Sequence, residues 1–272
     1  MRLAMYAGRP YSIREANGQV FGKKLAAKSV LACITHPKYL RADQQSAPEE
    51  KLNEKGLQAP IRRPRQIFAS GVNYRGYAEE AGLKESDQPV FFSKFMSSLT
   101  GPNPLVELPN ESIDWETELV VVIGEKMHKV TPEQANAGIF GYMIGQDLTD
   151  RQLQYSGNTP QWGLSKSYPR FSATGPWITT PDELTGDVKD LRIQTHVNGQ
   201  PKQDATVSQM IHGVPELLAY LAGIVTLLPG DLVFTGTPSG IGYGAKPQTF
   251  LHSGDFLSSN IDQLGELCVV LK

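Results

Sequence analysis

The stretch Trp115-Glu116-Thr117-Glu118-Leu119-Val120-Val121-Val122-Ile123 decides how the chain folds. Side chains along a strand alternate between its two faces. Glu116, Glu118, Val120 and Val122 therefore share one face, and Thr117, Leu119, Val121 and Ile123 share the other. The run Leu119–Ile123 is strongly apolar, so this strand enters the core.

Working outward, further strands are expected at Arg2–Tyr6, Ser29–Ile34, Gln66–Ser70, Val90–Phe95, Leu191–Val197, Leu232–Thr235, Thr249–Leu251, Asp255–Ile261 and Leu267–Leu271. Phe140–Gly145 reads as strand or loop, and Gly101–Pro109 as loop. Asn198-Gly199 is a strong hairpin turn after Val197. Thr131-Pro132-Glu133-Gln134 begins a short helix, with Thr131 as cap, proline at the first helical position and Gln134 at the third. Pro215–Gly223 is helical, after a turn of helix at Ser208–Ile211. Arg41–Lys55 is polar and reads as exposed helix or loop. Strands outnumber helices and regular β/α alternation is absent, which disfavours a TIM barrel or a doubly wound sheet. The expected class is mainly β with short helices, an α+β fold. Pro60–Pro64 punctuates the chain. Residues 1–60 are thus expected to form a small N-terminal domain and residues 61–272 a larger one.

The chain has 272 residues, with 26 Lys+Arg against 28 Asp+Glu and a formal charge of −2. That balance argues against nucleic-acid or anionic-membrane partners, which need a basic field. Arg62, Arg63 and Arg65 are split by Pro64 and read as a solvated linker. Cys33 and Cys268 lack any CxxC spacing. The apolar run Leu217–Leu228 is too short to span a bilayer. The start MRLAMYAGRP has no signal-type apolar region, so the default expectation is a cytoplasmic protein.

Chemistry concentrates in the acidic residues. Glu116 and Glu118 project from one strand face about 6–7 Å apart along the backbone. Two unpaired carboxylates at the edge of a core are costly. Either a hard cation such as Mg²⁺ or Mn²⁺ satisfies them, or they form an exposed acidic strand end. Asp147 follows the apolar stretch Phe140–Ile144 and is either a third ligand or a helix cap paired with Arg151. Arg151 and Gln154 share a face if Asp150–Gln154 is helical. Lys166, within GLSKSYPRF, either binds a substrate carboxylate or enolate or is a surface lysine. The loop Thr235–Gly242, TGTPSGIG, is neither a P-loop nor a dinucleotide fingerprint. No HExxH pair or GxSxG elbow is present.

Together, GVNYRGYAEEAG, IDWETELVVVIGE, GYMIGQDLTDRQLQ, LSKSYPRF with GPWI, and PGDLVFTGTPSGIG resemble the fumarylacetoacetate hydrolase superfamily, over roughly Arg65–Lys272. The resemblance is to its acylpyruvate hydrolase and hydroxyhepta-dienedioate isomerase-like members. It implies a β-rich C-terminal catalytic domain, commonly a homodimer, acting on a small oxo-acid or 1,3-dicarbonyl substrate. It implies one Mg²⁺ per site, with Mn²⁺ or Ca²⁺ as substitutes, held by Glu116, Glu118 and Asp147. By the same resemblance Arg151, Gln154 and Thr237 face substrate, and Lys166 is the active-site lysine. Many members carry an NYxxH segment whose histidine forms a water-activating dyad with a glutamate three residues on. Here Asn73-Tyr74-Arg75-Gly76-Tyr77 is followed by Glu80, so Tyr77 stands in the histidine's place. A phenol of pKa about 10 is a poor base at neutral pH. The first expectation is metal-dependent C–C hydrolysis with Glu80 and Tyr77 as catalytic candidates. The alternative is an isomerase or tautomerase of a 2-oxo or 2-hydroxy-dienoic acid, or a 2-oxo acid decarboxylase, which the loss of the histidine favours.

Overall fold

The computed structural model describes residues 1–40 and 47–272. Its strands are β1 (Arg2–Tyr6), β2 (Arg9–Ala16), β3 (Gln19–Lys24), β4 (Glu49–Lys51), β5 (Leu57–Gln58), β6 (Ile67–Gly71), β7 (Val90–Ser93), β8 (Leu99–Thr100), β9 (Leu105–Val106) and β10 (Ile113–Asp114). They continue with β11 (Thr117–Ile123), β12 (Ile139–Asp147), β13 (Thr149–Asp150), β14 (Ser172–Thr179), β15 (Arg192–Val197), β16 (Gln200–Thr206), β17 (Leu232–Phe234), β18 (Phe256–Ile261) and β19 (Gly265–Leu271). The helices are short: α1 (Val30–Thr35), α2 (Arg75–Glu80), α3 (Pro132–Ala137), α4 (Arg151–Gln154), α5 (Trp162–Ser165) and α6 (Val214–Ile224). The mainly β class is therefore observed. Among the described residues no helix is long and apolar enough to cross a membrane.

The large sheet runs β4-β3-β2-β1-β14-β12-β11-β17-β6-β7, with β5 on β1 and β8 on β14. A second sheet runs β16-β15-β18-β19-β9. β11 lies well inside the large sheet, and its alternation governs the packing. Leu119, Val121 and Ile123 join Ile193, Leu257 and Val269 of the second sheet in one core. Val120 and Val122 join Leu3, Met5, Val30 and Ile67 in another on the opposite face. With both faces covered, β11 is buried throughout.

Local signals hold where they are strong. Thr131 and Gln134 form a reciprocal capping box at α3. Asn198 and Gly199 both adopt positive φ in the hairpin turn. Four expectations are corrected, the first being the expected loop Gly101–Pro109, which carries β9 paired with β19. Ser29–Ile34 is not a strand but the start of α1, because the Ser29 hydroxyl caps Ala32 N–H and the buried Val30, Cys33 and Ile34 follow helical spacing. Glu49–Lys51, expected as helix or loop, pairs with β3, while residues 41–46 of that stretch lie outside the described residues. Thr249–Leu251 forms no strand; Leu251 N–H donates to Ile113 O.

Candidate active site

The register of β11 against β12 builds the site. Thr117 pairs with Gln146 and Glu118 with Gly145, and Asp147 N–H donates to Glu116 O at 2.8 Å. Asp147 therefore arrives across from Glu116, although thirty residues of chain separate them in sequence by about one hairpin's length of strand and helix. Glu116, Glu118 and Asp147 are all buried, and each offers an oxygen within 4.8 Å of the others.

Cations surround this cluster unevenly. Lys166 Nζ donates to Glu116 Oε2 at 2.6 Å and Thr149 Oγ1 at 2.7 Å. It also lies 2.9 Å from Asp147 Oδ2, but outside hydrogen-bonding geometry, and that buried oxygen accepts no hydrogen bond. Lys94 is buried, bonds Asp147 Oδ1, and donates to Lys166 O at 2.7 Å. Arg151 Nη2 donates to Glu116 Oε1 at 2.6 Å, its Nε to Asp114 Oδ2 at 2.9 Å, and its Nη1 to Gln154 Oε1 at 2.8 Å. Glu118 Oε2 accepts from Gly236 N–H at 2.8 Å. Gly236 needs its positive φ of 93°, and a Cβ there would stand 2.9 Å from Asn73 Cβ.

The protonation tendencies follow. Burial alone would raise Glu116, but Lys166 and Arg151 outweigh it and hold the carboxylate ionised. Burial, with Asp147 and Glu116 adding repulsion, pushes Glu118 well above the usual carboxylate range. Burial opposes the charge on Lys166, yet Asp147 and Glu116 keep its ammonium above its ordinary value. Burial lowers Lys94 despite Asp147 beside it. Four buried carboxylates, counting Asp114, thus face three cations. An oxygen that accepts no hydrogen bond and a carboxylate pressed toward its neutral form fit a hard divalent cation between the three oxygen donors.

A cavity of about 20 Å³, room for about one water, adjoins the cluster. Tyr77, Glu116, Gln154, Lys166 and Thr237 line it, with Ser70, Phe92 and Trp162. A larger groove of about 760 Å³ lies elsewhere, by Tyr142, Asp187 and Met210, and contains none of these residues. Thr237 Oγ1 donates to Thr117 O and accepts from Gln203 Nε2, both at 2.8 Å. Tyr77 OH reaches Glu116 Oε1 across a long 3.4 Å. Glu80 is placed apart: its Oε2 accepts from Gly240 N–H at 2.8 Å, and it makes no hydrogen bond to Tyr77.

Residues 66–272 match the fumarylacetoacetate hydrolase C-terminal family. The chain belongs to that family. This fumarylacetoacetate hydrolase family member is 41% identical over 209 residues to a 2,4-didehydro-3-deoxy-L-rhamnonate hydrolase of Sphingomonas, covering 76% of the chain and 73% of the relative. It is 38% identical over 213 residues to a mitochondrial oxaloacetate tautomerase of Xenopus laevis, covering 78% of the chain and 66% of the relative. Its fold superposes on a 2-hydroxyhepta-2,4-diene-1,7-dioate isomerase of Mycobacterium marinum with a TM-score of 0.81 at 30% identity, over 100% of this chain and 98% of the other. The chain is thus an enzyme of the hydrolase and isomerase superfamily with a buried acidic cluster able to hold a divalent metal.

Two charged groups of this family member escape a reading of the sequence. Asp114 continues the alternation of Glu116 and Glu118 by one step, and that spacing is the signal that would have found it. It anchors Arg151 and accepts from the N–H groups of Gly242 at 2.7 Å and Tyr243 at 3.0 Å. Lys94 carries only a weak signal, a single charge in the aromatic run Val90–Phe95. Conversely, the guanidinium of Arg151 is committed to Asp114, Glu116 and Gln154, and Arg151 does not line the cavity.

Proposed function

We propose that this enzyme is a divalent-metal-dependent isomerase or tautomerase of a small 2-oxo or 2-hydroxy-dienoic acid. The observation that carries the reading is Tyr77, which lines the cavity with its hydroxyl 3.4 Å from Glu116 Oε1, at the position where family members with the water-activating dyad carry histidine. Burial, reinforced by Glu116, raises this phenol above its ordinary range, so it keeps its proton at neutral pH. Protonated, it can relay a proton between two substrate atoms but cannot strip one from water. The tautomerase and isomerase relatives support the same reading.

Glu116, Glu118 and Asp147 would hold the cation, for which Mg²⁺ is proposed and Mn²⁺ or Ca²⁺ fit the same oxygen donors. Such an ion supplies Lewis-acid stabilisation of the charge that develops on the substrate's oxygens. Lys166, fixed by Glu116 and Thr149, adds positive charge at the cavity wall. Gln154 orients the substrate's carboxylate through its amide Nε2, its Oε1 being held by Arg151, and Thr237, whose hydroxyl proton is donated to Thr117 O, shapes the cavity wall. Arg151 keeps Glu116 ionised and in place. The Tyr77 hydroxyl donates a proton to the enol carbon while the enol oxygen releases one, which restores the phenol. No water is consumed.

The test is a panel of enol-oxaloacetate, a 2-hydroxy-dienoic acid and acylpyruvates in ¹⁸O water. The expected result is a keto–enol or double-bond shift with no label in any cleavage product. Tyr77→Phe should slow that reaction by about 10²-fold, read by stopped-flow absorbance. Labelled cleavage products from the unaltered enzyme would overturn the reading. C–C hydrolysis is the second reading, favoured by the 41% identity to the rhamnonate-derived hydrolase. Under it, Tyr77→His should increase labelled product. Decarboxylation would be recognised in the same panel by loss of carbon dioxide.

A further inference from the structure

We infer that Glu80 is a positioning residue that latches α2 over the cavity and holds Tyr77 beside Glu116. α2 has six residues, too few to be stable without ties at its ends. The end preceding it is tied by Asn73. Its Nδ2 donates to His212 O at 3.1 Å and Thr235 O at 2.9 Å, and its Oδ1 accepts from His212 N–H at 3.0 Å. The far end is tied by Glu80 to Gly240 N–H. Between these ties sits Tyr77.

The anchor for the latch is firm. Gly240 has φ of 95°, and a Cβ there would stand 2.0 Å from Lys202 O, so the loop lies hard against β16. Trp115 Nε1 donates to Gly240 O at 2.9 Å from the other side. The loop also closes around the Glu80 side chain, since a Cβ on Gly244 would fall 2.0 Å from Glu80 Cγ. A base serving the cavity would need its carboxylate beside the reacting atoms. Glu80 does not line the cavity, and its carboxylate is spent on the loop.

Hydrogen–deuterium exchange over residues 75–83 tests this independently of the proposed chemistry, which only the turnover readout rests on. Glu80→Gln retains an oxygen acceptor for Gly240 N–H, so exchange and kcat/KM should stay within about 3-fold of the parent enzyme. Glu80→Ala should raise exchange about tenfold and lower kcat/KM by a similar factor. Gly244→Ala keeps the carboxylate but displaces it, and should follow Glu80→Ala. Exchange unchanged in Glu80→Ala would overturn the latch. So would a Glu80→Gln variant that loses turnover as fully as Glu80→Ala while exchanging at the parent rate, because that pattern assigns the carboxylate to chemistry. If no substrate isomerises, the exchange arms still decide.

Discussion

Glu118→Gln should give a folded protein that no longer takes up a divalent cation and turns over at least about 10³-fold more slowly. Glu118 is the cleanest of the three ligands to remove. Glu116 is bound by Lys166 and Arg151, and Asp147 by Lys94, so their loss strands buried cations. The Glu118 carboxylate is instead held by Gly236 N–H and repelled by Glu116 and Asp147. An amide oxygen can still accept from Gly236, and the repulsion disappears. Without metal, the variant should therefore melt no lower than the parent enzyme. With metal, the parent gains stability by mass action and the variant does not. Calorimetric titration with Mg²⁺ and Mn²⁺, alongside thermal melts in chelator and in metal, reads both effects. Cation uptake at the parent affinity would remove Glu118 from the ligand set.

Arg151→Met should act in the opposite way, costing about 3–5 kcal/mol of stability before chemistry is considered. Its guanidinium is almost wholly buried between Asp114 and Glu116. Removing it leaves Asp114 without a cationic partner, supported only by the N–H groups of Trp115, Gly242 and Tyr243. Burial already raises Asp114, and Arg151 is the main opposing influence. The melting temperature should fall by roughly 6–20 °C for a chain of this size. Adding Asp114→Asn should recover part of the loss, since an uncharged side chain tolerates the site better. A fall below about 1 kcal/mol would mean that water or rearrangement replaces the guanidinium, and that the pair does not organise the site.

What could be read beforehand follows from the range of the interactions. The alternation along β11 is local, and it revealed Glu116, Glu118 and the apolar run beyond them. The α3 capping box and the Asn198-Gly199 turn are also local, and their chemistry admits few alternatives. Val30–Ile34 is a run of five apolar residues that fits strand or helix, and only the Ser29 cap and the spacing of Val30, Cys33 and Ile34 distinguish them. The placement of β1 beside β14 depends on pairings between distant segments, which periodicity does not encode. Asp147 could be proposed as a ligand, but only the register between β11 and β12 brings it to Glu116. Lys94 was hidden for a similar reason: a lysine after aromatic residues resembles an exposed strand end until the fold folds it onto Asp147.

The shared face of Glu116, Glu118, Val120 and Val122 makes β11 self-proofreading. A slip of one residue against β12 would turn both glutamates toward the second sheet and reverse which valines and leucines fill each core. Ligand geometry and core packing would be lost together. Metal stoichiometry in a refolded preparation would therefore count the molecules whose central strand has found its native register.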